Sequence, residues 1–261
     1  MEPIILEIDA RGIAHLTINK AEAHNAFDDT LISDFTEKLK KIELNETVRV
    51  VVLSALGESF SAGGDLNWMR RVANYSQEEN VIDAMSLAEL MRTLNQLSKP
   101  TIALVQGSAY GGGVGLVSCC DIVIASENSK FCLSEVKLGL IASVISPYVV
   151  SSIGESQARR YTLTGEPFDS EEAKRIGLVH EVVKSDQLLI MGDRIVSQLL
   201  KNGPKAMAGV KNLIFYLKGR GLENEVIEET ARRIAQVRAS DEGKEGVSAF
   251  LEKRPPSWVK F

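Results

Sequence analysis

Imidazole and thiol side chains are scarce in this chain: three histidines and three cysteines among 261 residues. His15, His24 and His180 are far apart in sequence, with no HExxH or paired-ligand spacing, so metal catalysis has no sequence support. Each is a structural histidine or a catalytic one standing alone. Cys119, Cys120 and Cys132 lack CxxC spacing. They outline neither a zinc site nor a disulfide frame, and read as small buried residues of a reduced compartment. No unbroken apolar run approaches the length of a membrane span. The start, Met-Glu-Pro-Ile-Ile, has neither the basic opening nor the apolar stretch of a secretory signal, and a cytoplasmic location is expected. Basic residues form no long run and the net charge is −5, which argues against a nucleic-acid surface. Arg70-Arg71 and Lys253-Arg254 remain as local patches, either solvated charges or a seat for a small polyanion.

What is present is a rhythm. Ile4–Ile8 and Ile13–Ile18 read as two strands about the turn Arg11-Gly12. Leu31, Ile32, Phe35, Leu39 and Ile42 mark a helix over Asp29–Leu44. Val48–Ser54 is a short run dominated by β-branched residues, as in a strand covered on both faces, and Thr101–Val105 is the next buried strand. A long helix is predicted from about Glu78 to Leu97, another over Gly111–Cys120, and strands over Asp121–Ala125 and Phe131–Leu133. Ser146-Pro147 predicts a helix start with Ser as N-cap and Pro at the first helical position. Helices then dominate, with Val179–Val183 as the one later strand. The alternation predicts an α/β fold. The boundary near Pro204 divides residues 1–203, a core carrying the site, from a helical region 204–261. No repeat of fixed sequence period is visible.

Two stretches combine a strand, glycines and a helical pattern: Phe60-Ser-Ala-Gly-Gly-Asp-Leu66 and Gly107-Ser-Ala-Tyr-Gly-Gly-Gly-Val-Gly-Leu116. Glycine permits close approach of the main chain to a ligand. A helix that starts there aims free N–H groups and the positive end of its dipole at the ligand. Two such turns could hold one oxygen between two backbone donors, the layout of an oxyanion hole for a carbonyl or thioester. A nucleotide loop fits poorly. No Gly-Lys-Ser/Thr follows Gly113, and the third glycine of a dinucleotide fingerprint would fall on Leu116. Tight helix-on-sheet packing is the competing use of the glycines. Glu135 stands between Phe131-Cys-Leu133 and an apolar run Leu138–Ile145. If buried there, its carboxyl is raised and suited to proton transfer; otherwise it is a surface residue at a strand end. No Gly-x-Ser-x-Gly elbow is present.

With these residues the chain resembles the crotonase, or enoyl-CoA hydratase/isomerase, superfamily. The matching pieces include Ala23-His-Asn-Ala-Phe27, the two glycine turns, Lys99-Pro-Thr-Ile-Ala103, Cys120-Asp-Ile-Val-Ile-Ala125, Phe131-Cys-Leu-Ser-Glu135, Glu172-Ala-Lys-Arg-Ile-Gly-Leu-Val179 and Ala249-Phe-Leu-Glu-Lys-Arg254. They come in family order over nearly the whole chain. Gly113–Cys120, Phe131–Glu135 and Val144–Tyr148 further resemble bacterial methylglutaconyl-CoA hydratases. The resemblance implies a spiral of ββα units followed by a C-terminal helical region that builds a homo-trimer, often paired to a hexamer. It implies an oxyanion hole from the amides of Gly64 and Gly112, with Glu135 as acid/base. The acyl-CoA would lie against Ala23, Ala62, Gly64, Asp65 and Leu66, with Phe250 and Lys253 reaching a neighbouring subunit's ligand. Coenzyme A is part of the substrate, and no separate cofactor, metal, nucleic acid or membrane partner is implied. Trp68 and Tyr148 either shape the acyl pocket or simply pack.

One position departs from the family pattern. Typical hydratases carry a second Glu two residues after the glycine triplet, and here that position is Gly115. A glycine within a helix costs about 1 kcal/mol relative to alanine, so the expectation is that space is wanted there for substrate or water. The expected reaction is hydration of a conjugated, branched enoyl-CoA, with 3-methylglutaconyl-CoA the preferred substrate. A one-carboxylate enoyl-CoA isomerase and a silent acyl-CoA binder are the alternatives.

Overall fold

The computed structural model describes residues 2–259. A hairpin of β1 (Ile4–Ile8) and β2 (Ile13–Ile18) opens the chain, followed by α1 (Asp29–Leu44). Three strand pairs follow: β3 (Val50–Ala55) with β4 (Ser59–Ser61), β5 (Thr101–Val105) with β6 (Ser108–Tyr110), and β7 (Ile122–Ser126) with β8 (Lys130–Cys132). The first pair leads into α2 (Leu66–Val72) and α3 (Gln77–Gln96), the second into α4 (Gly112–Cys119), and the third through a 3-10 turn (Glu135–Leu138) into α5 (Ser146–Thr164). The first strand of each pair joins a six-stranded sheet ordered β1-β2-β3-β5-β7-β10, with β10 at Glu181–Val183. The second joins a four-stranded sheet ordered β4-β6-β8-β9, with β9 at Phe168–Asp169. Both sheets are parallel except for β1 against β2 and β9 against β8. The chain therefore climbs as a spiral of ββα units. The intervening helices differ in length, which is why no sequence period marks the spiral.

The continuous apolar runs are explained by cover on both faces. Val51, Leu53, Ala103, Val105, Val123 and Ala125 join one core with residues of α1, α3, α4 and α5. Val50, Val52, Ile102, Leu104 and Ile124 turn the other way, onto Leu188 and Val196. These last belong to α7 (Leu188–Leu199), which follows α6 (Ser170–Arg175). Alternate residues of a strand point to opposite faces, so both sets must be apolar. Cys119 lies inside the first core, where burial pushes its thiol well up, and all three cysteines are free.

The chain closes with α8 (Pro204–Leu217), α9 (Asn224–Ala239) and α10 (Asp241–Leu251), which pack on one another. Lys211 of α8 reaches back to Asp121 at 2.8 Å, and Arg49 donates to the Asn202 carbonyl at 2.9 Å. No helix among the described residues is long and apolar enough to cross a membrane.

The start of α5 differs from expectation. Ser146 is its first helical residue and Ile145 stands at the N-cap. The chain is already turning there: Ile145 is right-handed (φ −88°), and the Ser146 N–H bonds the Ala142 carbonyl at 3.0 Å. The Ser146 hydroxyl donates to that same carbonyl at 2.7 Å instead of accepting from the helix.

Candidate active site

The first glycine turn is stitched to the loop after β2. Asn25, fully buried, donates to the carbonyls of Leu56 and Ser59, each at 2.7 Å, and accepts from Lys20 N–H at 2.9 Å. Ala62 N–H bonds His24 O at 2.9 Å, Phe27 N–H bonds Gly63 O at 2.7 Å, and Asp65 N–H bonds Phe27 O at 2.8 Å. Ala62, Gly64 and Asp65 thus lie on one seam with His24–Phe27, next in the chain to Ala23. Successive amides of an extended chain face opposite ways. The Gly63 carbonyl faces the 20s loop, and in a planar trans peptide the N–H of Gly64 points opposite to it; that N–H has no acceptor among the described residues. Asp65 caps α2 by accepting from Asn67 and Trp68 N–H at 2.8 and 3.1 Å, and these bonds, Trp68 first, hold its carboxyl below the usual range. Lys20 ties Asp65 (3.4 Å) to Asp28 (2.6 Å), the cap of α1.

The second turn is built on Gly111, whose φ of +51° and ψ of −117° suit glycine alone. Its N–H bonds the Cys132 carbonyl at 2.9 Å. Gly112 follows as the first residue of α4, where amides have no intrahelical partner. Its N–H also lacks an acceptor among the described residues. The two turns meet at the third group. A Cβ built on Gly111 would lie 3.9 Å from Gly63 Cα and 3.1 Å from Glu135 Oε1. Glu135 Oε2 is buried with no hydrogen-bond partner among the described residues. Burial pushes the carboxyl up from its ordinary value, against a smaller opposing bond from its own backbone N–H. A buried, unpaired carboxylate oxygen beside two unpaired amides is costly to the fold. It is well suited to a ligand that brings a carbonyl oxygen and a transferable proton.

Of the residues singled out in the sequence, Gly64, Gly112 and Glu135 lie on the turns that meet at Gly111, and Ala62 and Asp65 flank Gly64 on the strand bonded to the 20s loop that carries Ala23. Leu66 is exposed at the first turn of α2. Phe250 and Lys253 do not join them within this chain. They lie at the end of α10, which packs on α8 and α9, and Phe250 is 82% exposed. Trp68 packs beside Gly64, its ring 3.3 Å from the place of a Cβ there, and donates to Asp83 at 3.0 Å. Tyr148 is half-buried against the core. One arginine of each basic pair is held in an ion pair, Arg71 with Asp29 at 2.7 Å and Arg254 with Glu245 at 2.7 Å. Among the described residues no group of three or more His, Cys, Asp or Glu stands together as a metal site.

Two expectations change. Most of the apolar run after Glu135 does not cover it, since Val136, Leu138, Leu140 and Ile141 are themselves exposed; only its end, Ile145, is buried. The glycine turn closes on the carboxyl at Gly111. Nor is there open space at Gly115. A Cβ there would lie 2.3 Å from Ile145 Cγ2 and 3.1 Å from Met91 Cε. The position holds glycine because hydrocarbon already fills it. Ile145 was missed in the sequence, where nothing distinguishes it from the apolar residues around it.

The family model for enoyl-CoA hydratase/isomerase matches residues 9–260. Mevalonyl-coenzyme A hydratase of Aspergillus fumigatus is 34% identical over 249 residues, 93% of this chain and 90% of that protein. The 1,2-epoxyphenylacetyl-CoA isomerase of Escherichia coli is 31% identical over 265 residues, 99% of each. A crystal structure of an enoyl-CoA hydratase from Shewanella pealeana superposes with a TM-score of 0.95 at 44% identity, over 98% of this chain and 96% of that one. The chain belongs to the enoyl-CoA hydratase/isomerase family, with the crotonase fold. Its chemistry is that family's hydration or isomerisation of acyl-CoA thioesters.

Proposed function

We propose that the protein is a hydro-lyase that adds water to a conjugated, branched enoyl-CoA, with 3-methylglutaconyl-CoA going to 3-hydroxy-3-methylglutaryl-CoA. The observation that carries the reading is the unpaired, buried Oε2 of Glu135 next to the unpaired amides of Gly64 and Gly112. The thioester oxygen accepts from both amides. That draws electrons from the double bond and makes the β-carbon electrophilic. Glu135 takes a proton from water as the water oxygen bonds to the β-carbon, and the electron pair moves to the thioester oxygen. The enolate then collapses as the same carboxyl gives its proton to the α-carbon. Coenzyme A runs along the seam of Ala23, Ala62, Asp65 and Leu66. A branched acyl group is supported by the resemblance to methylglutaconyl-CoA hydratases and by the relative named for mevalonyl-CoA, a thioester branched at its β-carbon.

A second reading, isomerisation, is favoured by the hydrocarbon at Gly115. One carboxylate suffices to lift a proton from the α-carbon of a non-conjugated enoyl-CoA and return it to the γ-carbon. Purified protein given conjugated and non-conjugated enoyl-CoAs, with products identified by mass, separates the two. Gain of one water is the expected result. Unchanged mass with a moved double bond selects the isomerase, and binding without turnover rejects both.

We also propose that residues 204–261 assemble the protein as a trimer or hexamer and bring Phe250 and Lys253 to a neighbour's CoA. Val210, Ile214, Phe215, Ile227, Ile234 and Phe250 leave apolar surface exposed on these helices, of the kind that marks an interaction site. Light scattering is expected to give three or six chains, and a monomer rejects the assignment.

A further inference from the structure

The segment that carries Glu135 runs along α4 and touches it twice. Gly111 caps the helix, and Gly115 N–H donates to the Gly111 carbonyl at 3.2 Å, which sets the two positions one turn apart. At the first, the place of a side chain lies 3.1 Å from Glu135 Oε1. At the second, it lies 2.3 Å from Ile145 Cγ2. The backbone of Gly115 is helical, a conformation open to any residue, so only the close approach of Ile145 and Met91 requires glycine. Ile145 is 3% exposed. Its own segment is fixed at both ends: Leu140 N–H bonds Glu135 O at 3.1 Å, and Val149 N–H bonds Ile145 O at 3.1 Å as α5 begins.

We propose that Ile145, seated on Gly115, is a positioning residue for the Glu135 carboxylate, and that the same seat makes this a one-carboxylate site by filling with hydrocarbon the place from which a second acid would act. This rests on the reading of Glu135 as the proton carrier. Two consequences follow from the packing. The carboxylate is held from one side by Gly111 and, through its segment, by the Ile145 knob. With Ile145 and Met91 crowding Gly115, no side chain at that position can share the proton, and Glu135 both accepts and returns it.

The test is a kinetic cycle on the full chain with a turned-over enoyl-CoA, supported by thermal melts. Gly115→Ala drives a methyl into Ile145 Cγ2. Displacement of Glu135 on the ångström scale is expected to lower kcat by about 10–100-fold, while KM, set along the CoA seam, changes by less than about threefold. Ile145→Ala is expected to lower kcat and also to move the acid limb of its pH profile downward, because water reaches the carboxyl. Ile145→Val keeps the γ2 methyl on Gly115 and is expected to recover most of both losses. The double variant Gly115→Ala/Ile145→Ala is expected to be less impaired than the two single losses multiplied, the mark of contact. A merely structural role would lower the active fraction without moving the acid limb. Gly115→Ala within twofold of wild type, an unmoved acid limb in Ile145→Ala, or multiplicative losses overturn the proposal. Glu135→Gln run alongside separates the failures. If it retains turnover, the proton-carrier reading falls and the proposal with it. If it is inactive while the Gly115 and Ile145 variants behave as wild type, the proposal alone falls.

Discussion

Glu135→Gln is expected to lower kcat by about 10²–10⁴, the usual worth of a positioned general acid/base, with KM little changed. The amide keeps the shape of the carboxyl and its contact with Gly111 but cannot accept a proton. The pH profile gives the same test from the other side. Glu135 works as a base in its ionised form, and burial raises its carboxyl above the ordinary range. Activity of the wild type should therefore fail on acidification at a pH above the ordinary Glu value of about 4.3. That limb should vanish from the residual rate of Glu135→Gln. Stability is expected to move the opposite way. A carboxyl raised in the folded state contributes most below its unfolded value, and that contribution is lost as pH rises through the folded value. The wild type therefore carries the burden of a buried charge at neutral pH, and the glutamine variant does not. Glu135→Gln should melt higher than wild type at neutral pH and alike in acid. Turnover within a few-fold of wild type, measured by loss of enoyl absorbance, rejects the assignment.

The parts of the molecule that the sequence made legible are those where one physical demand acts on many consecutive residues. The strands β3, β5 and β7 are buried on both faces, so Val50–Leu53, Ile102–Val105 and Ile122–Ala125 had to be apolar throughout. Helix α1 buries Leu31, Ile32, Phe35, Leu39 and Ile42, and its period shows that stripe. Strands β4 and β6, three residues each, were legible only as the strand parts of the two glycine stretches, and β9, two residues long, is too short for any alternation and went unseen. The helical pattern after the first glycine turn was legible, but the bounds of α2 were not, since it has no buried residue and carries Arg70 and Arg71 in its last turn. At the site, the glycine turns were legible because only glycine tolerates the backbone at Gly63 and Gly111, both at positive φ. Glu135 was picked out by apolar neighbours on both sides, of which Phe131, Cys132, Leu133 and Ile145 are buried while Val136, Leu138, Leu140 and Ile141 are exposed, so the direction of its shift was anticipated from only part of the cause. Gly115 was misread. A glycine records only that no side chain is tolerated, and open space and a neighbour's methyl group leave the same trace in one sequence.

Gly112→Pro compared with Gly112→Ala is expected to isolate the worth of one main-chain donor. Both substitutions add a Cβ 3.2 Å from Phe27 Cε2, so that ring must yield by a few tenths of an ångström in each. Only proline also removes the N–H. Gly112 is the first residue of α4, the position where proline is tolerated because its amide has no helical partner and its fixed φ suits the turn. The helix should form in both variants, with similar melting temperatures. If the Gly112 amide holds the developing charge on the thioester oxygen, the proline variant should fall below the alanine variant by about 10²–10³ in kcat, the usual cost of removing one oxyanion-hole donor. KM for the thioester should differ far less between the two, because the bond strengthens as the carbonyl becomes an enolate. Equal rates would mean that the oxygen is held elsewhere. The unpaired Gly112 amide would then be only the start of a helix, and Glu135 would act on a substrate placed by the Gly64 turn alone.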